Sequence, residues 1–199
     1  VTEVEDKFFF EIDGTYNKLI GMIEKRTPIE DMRELIINIF STSYSRVPKQ
    51  INNMTRVSGE LHDFLYKRKI DKPIMKKIDI EKGGLIGMFT EMQVHMNLMH
   101  GSNFKILISN VGNFISCDNP AGGAHLPLTK RYCIISNQEK YPIEYEEIEG
   151  SFINMVNDWT YENAYNYIYG DWWTLLKTLL FVQKNVNNSQ NKLGKFNKN

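Results

Sequence analysis

The spacing of hydrophobic residues changes near Gly101, and that change limits the architectures open to this chain. Before it, apolar residues recur at helical intervals; after it come FKILIS, NFISC and RYCIIS, short runs rich in β-branched and aromatic residues. Helical spacing then returns from Phe152 onward. Helices followed by a small sheet and further helices make a helix-dominated α+β fold, not an alternating βα array.

Within the first part, Leu19, Ile20 and Ile23 define a helix over Tyr16 to Lys25. In TPIE, Thr27 can cap the next helix, Pro28 fits its first position and Glu30 can complete a capping box. Ile29, Met32, Leu35, Ile36, Ile39 and Phe40 carry that helix to about Tyr44. A third helix starts at Pro48 and turns Ile51, Met54, Val57, Leu61 and Leu65 inward. A fourth, ended by Gly101, aligns Leu85, Met88, Met92, His95, Met96 and Met99.

FKILIS and NFISC are joined by Asn110-Val111-Gly112-Asn113, which is turn chemistry, so a β-hairpin is expected, with RYCIIS adding as its third strand. The segment YPIEYEEIEG reads as an acidic connection. Beyond it a helical pattern continues through Ala164, Tyr165 and Ile168 to Gly170, and Asp171 caps a last helix bearing Trp172, Leu175, Leu176, Leu179 and Val182. The expected organisation is one domain over 1–184 and a disordered polar tail over 185–199.

Net charge is zero, with 24 basic and 24 acidic residues, so nucleic acid is not indicated as a partner by any whole-molecule field. No run nears the roughly 20 apolar residues of a membrane helix, and no membrane partner is expected. Two cysteines, Cys117 and Cys133, fit a reducing compartment, with cytoplasm the expected location. The chain begins at Val1 rather than Met, which raises the expectation of a trimmed sequence.

The polar insert between the strands, CDNPAGGAHLP, holds the candidate chemistry. Pro120 pushes Asn119 toward extended geometry, leaving Asp118 at a strand end where its carboxylate could bind a ligand or simply build the turn. His125 falls in the flexible part of the insert, as a potential acid or base or as a solvated loop histidine. Arg46, in SRVP, can supply a cation to an anionic ligand or cap the preceding helix. His95 reads as a core histidine bonded to a backbone carbonyl, and His100 as a helix-end cation. His95 and His100 are not on one face, so no metal pair and no metal site is expected, and no cofactor can be assigned.

Arg56 and His62 form an Arg-x5-His arrangement that resembles the motif of a helical, metal-independent ribonuclease superfamily. More of the chain is covered by another resemblance. The ordered set KILIS, FISCDNPA, PLTKRYCII and INMVNDWTYENAYNYIYG is similar to the bacterial family catalogued as domain-of-unknown-function family 4238. Its strand-end Ser-Asp-Asn-Pro corresponds to Asp118, Asn119 and Pro120, its proline-led strand to Pro127 through Ile135, and its later helix to Asn157, Ala164, Ile168 and Tyr169. Cys117 replaces the family's serine, which argues against a hydroxyl nucleophile there, and the family's N-terminal His-x-x-Pro is absent. The resemblance implies a bacterial cytosolic protein and no particular reaction.

The leading expectation is a small polar or phosphate-bearing ligand, such as a nucleotide, bound by Asp118, Asn119, Arg46 and His125 in a defence or stress effector. The alternatives are a non-catalytic module that docks a protein partner or a second copy of itself, and the ribonuclease using Arg56 and His62.

Overall fold

The structure, a computed structural model, describes residues 10–45, 48–68, 80–120 and 124–183. Arg46, the Gly122-Gly123 pair and the expected tail over 185–199 lie outside the described residues. The fold is α+β and mostly helical. It divides into two compact units, Val1–Ser102 and Asn103–Asn199, and the boundary falls where the hydrophobic period changes.

The first unit contains α1 (Phe10–Glu24), α2 (Ile29–Ser45), α3 (Pro48–Lys67) and α4 (Ile80–His100). Helix α2 packs against α1 and α4, and α4 against α3. Ile29, Met32, Ile36, Ile37, Ile39 and Phe40 of α2 are buried, with Leu19 and Ile23 of α1 and Met88 and Met99 of α4. The start of α2 follows its sequence signals: Pro28 has no N–H to lose, and Glu30 and Asp31 complement the helix dipole. Arg33 ties that first turn to the end of α4, donating to Glu30 Oε2 at 2.9 Å and to the Ser102 carbonyl at 2.8 Å.

Two expectations for this unit change. His95 Nδ1 meets the Ser41 hydroxyl at 3.1 Å, not a carbonyl, and the ring stacks on Tyr44 at 4.4 Å. Burial lowers its pKa. On α3, Val57 and Leu61 are about half exposed, together with Phe64, so its apolar stripe is not wholly turned inward.

The second unit is built on a four-stranded sheet. It comprises β1 (Asn103–Ser109), β3 (His125–Pro127), β4 (Tyr132–Asn137) and β5 (Tyr145–Ile148), ordered β3-β4-β1-β5. β4 runs antiparallel to both β1 and β3, whereas β5 runs parallel to β1. Helix α5 (Gly150–Asn163) covers one face, where Ile153 and Val156 pack with Leu107, Phe114, Cys133 and Ile148. The remaining pieces are β2 (Ser116–Cys117), which pairs with β6 (Ile168–Tyr169), and a helix α6 over 172–183.

The expected hairpin does not form. The turn does, held by Ser109 Oγ donating to Gly112 O and accepting from Gly112 N. Past it, however, Phe114 enters the core under α5 and Ile115 N–H is taken by Asn157 Oδ1 at 3.0 Å. The edges of β1 are taken instead by β4, in register over six residues, and by β5. β5 was hidden in the acidic segment because its glutamates have partners: Glu146 pairs with Lys105 at 2.8 Å and Glu147 accepts from Asn110 at 2.8 Å.

The helix expected to reach Gly170 stops at Asn163. The next residues run extended because Asp118 binds the amides of Tyr165 and Asn166, and Asp118 N–H donates to Tyr167 O. Asp171 does cap α6, accepting from Thr174 N–H at 3.1 Å and from its hydroxyl at 2.7 Å. Those bonds, with a third from Asn113, hold its pKa down at about 2.

Candidate functional site

His125 is where the structure departs furthest from the expected loop. It opens β3 opposite Ile135 and is only 3 % exposed. Strand register sets its direction: Lys105, Ile135 and His125 sit opposite one another across β1, β4 and β3, so their side chains share the sheet face that α5 covers.

At the rim of that face lies a cavity of about 420 Å³. The sheet side contributes Ala124, His125, Ile135, Ser136 and Asn137; Tyr141 follows from the β4–β5 connection. Helix α5 supplies Phe152, Trp159 and Asn163, spaced at i, i+7 and i+11 and so on one side of the helix. Such a volume, with aromatic walls and a few polar groups, falls in the usual range of small-molecule sites.

The hydrogen bonds fix the protonation pattern of His125. Thr160 Oγ1 donates its single proton to Val156 O at 2.9 Å. It can therefore only accept from His125, whose Nε2 lies 3.0 Å away, and the ring carries its proton on Nε2. Burial lowers the pKa to about 4, so the imidazole is neutral at ordinary pH. That leaves Nδ1 as a lone-pair acceptor with no partner among the described residues, and no buried polar side-chain atom among them is left unpaired and sealed from solvent. His125 itself lines the cavity.

Two amides add to the polar lining, beside Ser136 and Tyr141. Asn137 Oδ1 accepts from Gln138 N–H at 2.7 Å, which leaves its NH2 to donate. Asn163 spends Nδ2 on the Trp159 carbonyl at 2.8 Å, which leaves Oδ1 to accept. A cation beside the lining residue Tyr141 is already engaged: Lys105 Nζ pairs with Glu146 and lies 4.8 Å from the Tyr141 ring centroid.

Asp118 and Asn119 lie outside this lining. Asp118 Oδ1 accepts from Tyr165 N–H and Oδ2 from Asn166 N–H, each at 2.8 Å. Asn119 Nδ2 donates to Asn163 O at 3.0 Å, so the Asp-Asn corner attaches to the cavity through the backbone of a lining residue. Arg46 lies outside the described residues, and so does the side chain of His62. Arg56 is exposed and pairs with Glu60 one turn along α3. Among the described residues no group of three or more His, Cys, Asp or Glu side chains is arranged to hold a metal ion.

Thr160, Trp159, Asn163, Asn137 and Tyr141 were not foreseen as site residues. Only Trp159 carried a signal, as one of the helix's large apolar positions; the others acquire their places from the register of β3 on β4 and from the packing of α5. No helix among the described residues is long and apolar enough to cross a membrane. Comparison with known protein families, curated proteins and solved structures gives no match.

Proposed function

We propose that the second unit binds a small polar molecule in the cavity beside His125, with Asp118 and Asn119 fixing its rim instead of touching the ligand. The observation that carries this reading is a nearly buried histidine that lines the cavity, with Nε2 spent on Thr160 and Nδ1 without a partner among the described residues. A pKa of about 4 makes that nitrogen a hydrogen-bond acceptor more than a general base at neutral pH, which favours binding over acid–base catalysis. Neutral His125 and a lysine already paired with Glu146 also favour an uncharged polar ligand over a phosphate.

Mapping small-molecule binding by NMR tests the reading. Bound molecules should shift the Trp159 indole and the amides of Ala124 and Asn163. Ala124→Trp, placed at the exposed rim, should abolish those shifts while leaving the His125–Thr160 bond intact. Shifts confined to Asp118 and Asn119, or binding undiminished by the blocking residue, would return the site to the corner.

A second reading, self-association, is favoured by a different observation. Tyr167, Tyr169, Trp172 and Trp173 are all more than half exposed over a short stretch of the chain. Sedimentation over a concentration series decides it: a monomer at every concentration removes this reading.

A further inference from the structure

We infer that the ligand of the His125 cavity is a flat, neutral heterocycle that presents a ring N–H donor to His125 Nδ1. The inference rests on the proposed binding site and adds the chemical class of its occupant. Three features of the lining converge on it.

The first is direction. An imidazole lone pair lies in the ring plane, and the bond from Nε2 to Thr160 holds that plane in place. A donor must therefore approach along one line, which suits a rigid ring N–H better than a freely rotating hydroxyl or ammonium group.

The second is shape. Trp159 lies against His125 at 5.9 Å between centroids with a 50° tilt, and Phe152 and Tyr141 provide further aromatic surface. Rings packed in tilted or offset fashion gain more than aliphatic groups of equal area against such walls.

The third is charge and polarity. A cation would meet no carboxylate among the described lining residues, and an anion would meet a neutral imidazole. The NH2 of Asn137 and Oδ1 of Asn163 offer donor and acceptor groups, the complement of a heterocycle that carries both kinds. Burial also raises the Tyr141 pKa, so its phenol stays protonated and adds an uncharged hydroxyl.

The test uses the full chain, ¹⁵N-labelled, titrated with indole, with benzofuran, in which oxygen replaces the ring N–H, and with inorganic phosphate. Indole should shift the His125 Nδ1 resonance and the Trp159 indole signal together. Benzofuran should bind about tenfold or more weakly, since it leaves Nδ1 without a donor. If benzofuran binds as well as indole and shifts the same cavity residues, the N–H class is overturned while the cavity stands as a site. Phosphate shifting those residues where indole does not has the same meaning. If none of the three probes shifts a cavity residue, the class and the cavity site fall together.

Discussion

Asn157 and Ile115 are 42 residues apart, and the Asn157 side chain accepts the Ile115 N–H at 3.0 Å while its own NH2 donates to the Asn113 carbonyl at 3.0 Å. One buried amide thus takes up an N–H and a carbonyl of the stretch that leaves the Ser109–Gly112 turn, while the Phe114 N–H between them goes to Lys130 O at 2.9 Å. Asn157→Ala leaves an N–H and a carbonyl unpaired beside the core, at a cost of about 2–4 kcal/mol. Urea unfolding should show the midpoint falling by that amount with an unchanged slope; a loss below about 0.5 kcal/mol would mean that water replaces the amide.

The carboxylate of Asp118 takes a similar part at the other end of α5, where it receives two successive backbone amides. Asp118→Asn keeps the size but turns an NH2 toward one of those N–H groups, so donor meets donor. A loss of about 1–3 kcal/mol in stability is expected. Cavity binding should survive in the fraction that stays folded. Binding lost with stability unchanged would instead make Asp118 a ligand contact.

The fold class, the change of hydrophobic spacing near Gly101, the helix that follows Pro28 and the Asp171 cap could all be read directly, because each depends on local spacing or on a cap within one turn. Strand partners could not. NFISC looks as apolar as RYCIIS, and only the Asn157 bond and the burial of Phe114 show why β4 lies beside β1 instead. For the site, the insert pointed at Asp118, Asn119 and His125, yet the distinction among them is set at long range. Thr160, 35 residues from His125, decides which imidazole nitrogen remains available, and nothing local to CDNPAGGAHLP encodes that.

Because His125 has its pKa lowered to about 4, the unfolded chain takes up this proton first as pH falls. The histidine's contribution is constant above about pH 6.5, declines between there and pH 4, and then levels off, a change of about 3 kcal/mol at most. Stability measured by urea from pH 7 to 4 should show that slope. His125→Leu should lack it, leaving only the part due to carboxylates. An identical profile in both proteins would mean that the folded ring takes up its proton as readily as the unfolded chain does, and that burial does not hold it neutral below about pH 6.5.

Arg26 has φ of 55°, the left-handed region that glycine tolerates best. It stands at the end of α1, where Arg26 N–H donates to Ile23 O and Thr27 N–H to Met22 O, the paired bonds of a Schellman ending. Arg26→Gly removes a conformational cost of about 1–2 kcal/mol, offset partly by the greater freedom of glycine in the unfolded chain. A net gain of about 0.5–1 kcal/mol should appear as a higher melting temperature. A lower one would show that contacts of the arginine side chain outweigh the backbone strain.

Gly170 is needed for a different reason, the closeness of its neighbours. A Cβ there would lie 2.9 Å from Ile115 Cγ2 and 3.3 Å from Leu175 Cδ2. Ile115 is buried and β-branched, and its Cβ would be 3.5 Å away, so the methyl cannot rotate clear without moving the strand-side backbone. At Gly112 the nearest atom would be the Ile153 Cδ1, at 3.2 Å, the flexible end of a side chain. Gly170→Ala should therefore cost about 1–3 kcal/mol and Gly112→Ala distinctly less, as judged by paired urea titrations. Equal effects would mean that the segment joining β6 to α6 yields as easily as an isoleucine terminus, and that β2 and β6 are held more loosely than their hydrogen bonds indicate.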